Sequence, residues 1–462
     1  MHAAFVIPGI MGTELFLPDG RGGRGEKVWP PRPLETQLGY RRREKLADPR
    51  VIPGDIISDV LCFDFYQPLL DLLQDLGFTT DGTDQRLVPF PYDWRRDLFE
   101  TTAALAVRIG EMAPAAERIS LVAHSMGGLI ARLLLESPDW RNSDWFPKID
   151  QLIAIAVPHL GAPLALGRIL GVDSAVGISG EDFAWLASRE TFPSAYQLLP
   201  APGEAVCWDQ TNPTLGTLNI YGEADAGSLG LNARLLERAR AVHRVLGANA
   251  SPAHVRYFYL AAAGHRTPTR LNVFRRADGT VDPSQTQLTR TADSGDGTVP
   301  MFSALPRLGQ RHIATNEHAT AFKGDAFRRV FVRLFGLDEG PALEAALAGL
   351  ALSIEAPLVT AGEDIEVLLH AVGDADDPHG ALGEIKGDLV LRKVRDGDAT
   401  VEEEVRRAPV AYAGPALSRL RLYLAPIEAP GHYQLHFEGA PADAGPEAFA
   451  VCAKLPAGAP IP

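Results

Sequence analysis

The stretch RISLVAHSMGGLIARLLLE, residues 118–136, constrains this chain more than any other. β-branched and aliphatic residues run up to Ser125, and two glycines then open an apolar segment with helical spacing. The pattern predicts a strand over 118–123 and a helix over 127–137 that ends at Pro138, with Ser125 at the corner. Turning from strand to helix within so few residues requires small side chains two positions either side of the serine. Ala123 and Gly127 meet that requirement. A serine on such a corner is placed for nucleophilic attack; an ordinary turn serine is the other reading of the same residues.

Elsewhere, up to about residue 335, strand and helix patterns alternate. Residues 3–7, 151–157 and 256–263 are apolar runs of strand length, as in strands covered on both faces. Residues 98–112 place Leu98, Leu105, Ile109 and Met112 at helical spacing, and 327–335 do so with Phe327, Val330, Phe331 and Leu334. Such alternation implies an α/β fold with a mostly parallel sheet. Two long stretches interrupt it, about 12–65 and about 164–250. Insertions of that length in a compact domain are expected to be a lid and a cap. Beyond residue 340, short strands separated by turns rich in Gly, Pro and Asp predict a small antiparallel β-sandwich. The expected division is a first domain over 1–336, a linker over 337–350 and a sandwich-like domain over 351–462.

Composition narrows the classes. A formal net charge of −14 argues against nucleic acid as a partner. Cys62, Cys207 and Cys452 are odd in number and far apart, which argues against a disulfide framework or a thiolate zinc site. The apolar runs fall short of the roughly 20 residues of a membrane span. AAFVIPG at the start reads as a core strand rather than a leader, so the expected location is cytoplasmic.

A serine hydroxyl needs a base within hydrogen-bond reach and donors for the oxyanion that forms. SGDGTVP (294–300) offers Asp296, and NEHATAF (316–322) offers His318. Serine, acid and histidine then follow the chain order of an α/β-hydrolase. Asp293 competes with Asp296; His312 and His159 compete with His318. One oxyanion donor is expected to be the N–H of Met126, at the start of the helix. The other is expected to be that of Ile10 in VIPGIMGTE (6–14), where Gly9 permits close backbone approach. This chemistry calls for no metal and no cofactor. His432 and His436 share one face of a strand, and GDADDP and RDGDATVEEE are acidic; solvated histidines and solvated turns are the favoured readings of both.

The ordered set IPGIMGTEL, PYDWRRD, AHSMGGLIAR, VPHLGAP, PSAYQLLP, SGDGTVP and EHATAF resembles the lecithin:cholesterol acyltransferase family, over roughly residues 5–335. That family includes group XV phospholipase A2 and phospholipid:diacylglycerol acyltransferase. The resemblance implies an α/β-hydrolase with cap and lid that cleaves a lipid acyl ester through an acyl-serine and transfers the acyl group to water or an alcohol. It assigns the nucleophile to Ser125, the acid to Asp296, the base to His318 and the oxyanion donors to Ile10 and Met126. It marks YDWR (92–95) as a structural signature beside the site. Trp29, as a lid tryptophan meeting lipid, and His159 are the candidate substrate-binding residues.

Residues 21–50 hold nine Lys/Arg and four Asp/Glu. A lid docking peripherally on anionic headgroups is one reading; a solvated loop of mixed charge is slightly favoured, because the basic residues do not share a face. The expected function is therefore a lipid-ester serine hydrolase or acyltransferase. A carboxylesterase for small soluble esters and a binding protein with a vestigial hydrolase fold are the alternatives. The partner of the C-terminal domain is left open.

Overall fold

The apolar runs become the strands of one sheet in the computed structural model. It describes residues 1–462 except 21–22, 33–34, 36–38, 61–62, 65, 175–176, 212–213, 215, 306–309, 315–317, 319–320, 323–324, 337–348, 355–357, 373–381, 396–399, 418 and 453–462. The chain divides into two compact units. The first comprises Met1–Pro30, Arg41–Ser58 and Phe65–Val330; the second comprises Pro31–Tyr40, Asp59–Asp64 and Phe331–Pro462. The division thus falls within the helix Asp325–Leu334 rather than after residue 336, and 31–40 and 59–64 group with the second unit rather than with the lid. Of the expected linker, 337–348 lie outside the described residues.

In the first unit, β1 (His2–Ile7), β2 (Gln85–Pro89), β3 (Arg118–His124), β4 (Ile149–Ile155), β5 (Arg256–Ala262) and β6 (Gln310–Ala314) form a sheet in the order β2-β1-β3-β4-β5-β6. Every neighbouring pair is parallel. The chain leaves β1 toward one edge and returns beyond it to build toward the other. The strand order therefore reverses between β1 and β3, and their carboxyl ends frame the crevice where such sheets bind ligands. Register pairs Ile7 with Ala123, which sets Pro8 and Gly9 beside His124 and Ser125.

Helices follow the 3.6-residue pattern. α1 spans Gln67–Asp75, α2 spans Leu98–Met112, α3 spans Met126–Glu136 and α4 spans Ala233–Gly247. The Asp97 carboxylate accepts from the Phe99 N–H at 2.8 Å and caps α2, whose Leu98, Leu105 and Ile109 turn inward. Every residue of α3 is buried, Arg132 included, because Glu136 one turn on pairs with its guanidinium.

The stretch read as an irregular lid is built on strands. Thr13–Leu17 lies between Glu26–Trp29 and Ile52–Ile56 in a three-stranded antiparallel sheet. Pro53 and Gly54 sit in an edge strand, where a missing N–H costs no ladder bond. The lid cations are matched locally: Arg24 with Asp55, Lys27 with Glu14, Lys45 with Glu26 and Arg50 with Asp48. The stretch read as a cap holds the helices Pro163–Ile169, Gly180–Ala187, Ser194–Gln197 and Glu223–Ser228 together with α4.

The second unit has a three-stranded sheet (Gly349–Ile354, Ile365–Val372, Arg419–Leu424) and a five-stranded one (Leu358–Thr360, Leu382–Val394, Val401–Leu417, Gly431–Ala440, Ala444–Cys452). Both sheets contribute to one core that includes Leu352, Val367, Leu369, Leu391, Leu435 and Phe437. The sandwich is not wholly antiparallel: Leu358–Thr360 runs parallel to Ala444–Cys452. Val401–Glu404, expected in an acidic turn, begin the 17-residue edge strand instead. Glu403 lies opposite Lys393 and Glu404 opposite Arg392, so cross-strand charge pairing accommodates the acidic run. His432, expected at solvent, is buried; His436 is half-buried. The GDADDP turn falls in residues that are not described.

Candidate active site

Ser125 ends β3 and starts α3 with φ 51° and ψ −125°, a conformation rare for a residue with a side chain. The sequence makes this corner sterically specific. A Cβ at Gly127 would fall 2.4 Å from the Ile7 carbonyl oxygen, and one at Gly9 would fall 2.8 Å from Ser125 Cβ. Only glycine lets the end of β1 and the first turn of α3 meet around the serine.

Two loops at the carboxyl ends of later strands bring the other groups. His318 Nε2 lies 2.9 Å from Ser125 Oγ, and His318 Nδ1 lies 2.8 Å from Asp296 Oδ2. Asp296 is fully buried, and its other oxygen accepts the N–H groups of Thr298 and Val299 at 3.0 and 2.7 Å. The His318 N–H donates to the Asp296 carbonyl at 2.8 Å, which fixes the two loops to each other. The structure therefore brings together Ser125, His318 and Asp296, which are 22 to 193 positions apart in sequence. Of the competitors, the side chains of Asp293 and His312 lie outside the described residues.

Met126 opens α3 beside Ser125, where the partial positive charge of a helix start favours an anion. Gly9 lies against Ser125, and Ile10 is the next residue along the same loop. The YDWR segment braces this loop: Tyr92 Oη donates to the Pro8 carbonyl at 2.7 Å and Trp94 Nε1 to the Thr13 carbonyl at 3.1 Å. Buried Arg95 makes a bidentate pair with Asp93 and also donates to the carbonyls of Leu46 and Asp48.

The two candidate substrate contacts stand elsewhere. Trp29 is 1% exposed, donates from Nε1 to the Met11 carbonyl at 2.8 Å and packs edge-on to Trp94. It is a core residue of the lid sheet: the strand register shifts between Leu15–Trp29 and Phe16–Lys27, and this bulge lets Trp29 turn inward although Lys27, two residues earlier, is exposed. His159 is buried against Tyr259, and Arg132 donates to its Nδ1 at 3.1 Å. It lines a cavity of about 1090 Å³ that also includes Arg132, Arg240 and Phe302; none of Ser125, Asp296 and His318 lines that cavity.

Sequence reasoning missed two buried side chains behind the serine, Tyr66 and His124. His124 stands within the quoted motif, but the motif leaves its position open. Tyr66, at the start of α1, has no local signal at all. Burial, reinforced by the neighbouring His318, pushes the His124 imidazole down to about 3; burial and then Arg132 hold His159 well below its ordinary value. The unfolded chain takes up these protons near 6.5, whereas folded His124 resists until about 3. Stability is thus complete above about pH 6.5 and is lost as the pH falls, at about 1.4 kcal/mol per pH unit for each such histidine. The urea midpoint should drop between pH 7 and pH 5, and His124→Gln should flatten that slope. A wild-type midpoint unchanged over this range contradicts the assignment.

A parallel sheet that places a strained serine corner at its switch point defines an α/β-hydrolase. Residues 60–226 match the lecithin:cholesterol acyltransferase family. It is 23% identical over 381 residues to lecithin-cholesterol acyltransferase-like 4 of Arabidopsis thaliana, covering 66% of this chain and 69% of that protein. One chain in the crystal structure of the Tle4-Tli4 complex shares the fold, with a TM-score of 0.51 and 13% identity over 73% of this chain and 97% of its own. No helix among the described residues is long and apolar enough to cross a membrane.

Proposed function

We propose that Ser125, His318 and Asp296 form an acyl-transfer triad and that the protein is a serine hydrolase or acyltransferase of lipid acyl esters. Ser125 Oγ attacks the ester carbonyl carbon while His318 Nε2 takes its proton. The Met126 and Ile10 N–H groups receive the oxyanion. As the tetrahedral species collapses, His318 returns the proton to the departing alkoxide and leaves an acyl-Ser125. Water or an alcohol, deprotonated in turn by His318, releases the acyl group. Asp296 holds the imidazole with its proton on Nδ1 and stabilises the imidazolium.

The observation that carries this reading is the continuous line from Asp296 through His318 to Ser125 Oγ, at 2.8 and 2.9 Å. The match of residues 60–226 to the lecithin:cholesterol acyltransferase family supports a lipid ester as the substrate. Turnover of p-nitrophenyl esters from acetate to palmitate tests it, with rising kcat/KM toward the long chains expected. Preference for acetate makes the protein a carboxylesterase for small esters. Failure to label with a fluorophosphonate makes the fold non-catalytic.

A further inference from the structure

We propose that Tyr66 and His124 are positioning residues that set the base and an oxyanion donor at once, through one buried hydrogen-bond line behind Ser125. The inference rests on the triad reading above. The Gly9 N–H donates to Tyr66 Oη at 2.7 Å; Tyr66 Oη lies 2.7 Å from His124 Nδ1; His124 Nε2 lies 3.0 Å from the His318 carbonyl oxygen. Each role along the line follows from the one beside it. A carbonyl only accepts, so His124 Nε2 carries the proton. A neutral ring then has a bare Nδ1, which accepts the Tyr66 hydroxyl proton, and the phenol oxygen keeps a lone pair for Gly9. Burial keeps the ring neutral, so the line does not reverse as a charge arrives on His318.

The two ends are what distinguish this line from ordinary core hydrogen bonding. One is the backbone of His318 itself, whose ring faces Ser125. The other is Gly9, one residue before Ile10 and packed on Ser125. The middle is rigid. Tyr66 stacks on Phe322 with ring centres 5.6 Å apart, His124 meets Phe322 edge-on at 5.5 Å, and the Tyr66 N–H donates to the carbonyls of Ile57 and Ser58 at 3.3 and 3.1 Å. His318 is thus held on its ring side by Asp296 and on its backbone side by His124. Removing the Tyr66 hydroxyl orphans a buried N–H and a buried ring nitrogen together, and it frees both halves of the site to drift.

Fluorophosphonate labelling of the wild type comes first, because an unlabelled wild type defeats the triad reading itself. With labelling established, Tyr66→Phe should lower kcat for a p-nitrophenyl ester by roughly 10- to 100-fold while KM stays nearly constant. His124→Leu should do the same. His124→Gln keeps an N–H for the His318 carbonyl and should recover most of the lost rate. Unchanged kcat in Tyr66→Phe overturns the proposal, as does equal loss in His124→Leu and His124→Gln at matched unfolding midpoints. If Tyr66→Phe or His124→Leu does not fold, ¹⁵N spectra of the wild-type imidazoles decide. The His124 resonances, assigned by their loss in His124→Gln, should report the Nε2–H form from neutral pH to about pH 4. A proton on Nδ1 defeats the proposal.

Discussion

Ser125→Ala should lower ester turnover by about 10⁴-fold or more and abolish fluorophosphonate labelling, while the unfolding midpoint stays close to that of the wild type. One oxygen is lost, and with it the only atom in the line able to attack a carbonyl. The backbone keeps its φ of 51°, which alanine and serine tolerate equally poorly, so the strain at the corner is neither relieved nor increased. His318 Nε2 loses its partner but remains in its loop, because its Nδ1 and its backbone N–H are both held by Asp296. Turnover that survives the substitution rejects Ser125 as the nucleophile. A collapsed midpoint with residual turnover shows that the corner serine is structural.

Asp296→Asn should cost about as much, by a different route. The amide oxygen can still accept the N–H groups of Thr298 and Val299, so the loop keeps its shape. The amide nitrogen then faces His318 Nδ1 and donates to it. The imidazole is driven into the tautomer with its proton on Nε2, and it can no longer accept one from Ser125. A loss of about 10⁴-fold in kcat with near-native stability is expected. Steady-state rates and calorimetry on the same preparation check it, and a loss below about tenfold removes Asp296 from the triad.

The parts of this site written in steric and apolar terms were legible before the structure. The corner at Ser125 was readable because Ala123 and Gly127 are what a strand-to-helix turn allows, and β3 and β4 because buried parallel strands are apolar throughout. The lid strands were not readable: Pro53 and Gly54 are strand breakers that an edge position tolerates. Trp29 looked like a surface residue among Lys27 and two prolines, yet it is buried where its strand bulges against Leu15 and Phe16, an irregularity that period-two alternation does not reveal. Tyr66 was invisible because its meaning lies in residues 57 and 58 positions away, Gly9 and His124, and no local pattern encodes that meeting. His159 looked like a ligand for substrate, but the residue that claims its Nδ1, Arg132, belongs to a helix 27 positions earlier.

The long outer strand Val401–Leu417 carries a different consequence. Among the described residues it forms one edge of the five-stranded sheet, and such an edge invites other copies of the chain to extend the ladder. Its residues resist that. Glu402, Glu403, Glu404, Arg406 and Arg407 surround the exposed Val401 and Val405, while Pro409 and Pro415 have no N–H to offer a newcomer. The charges and prolines along it act as gatekeepers that disfavour edge-to-edge fibril growth.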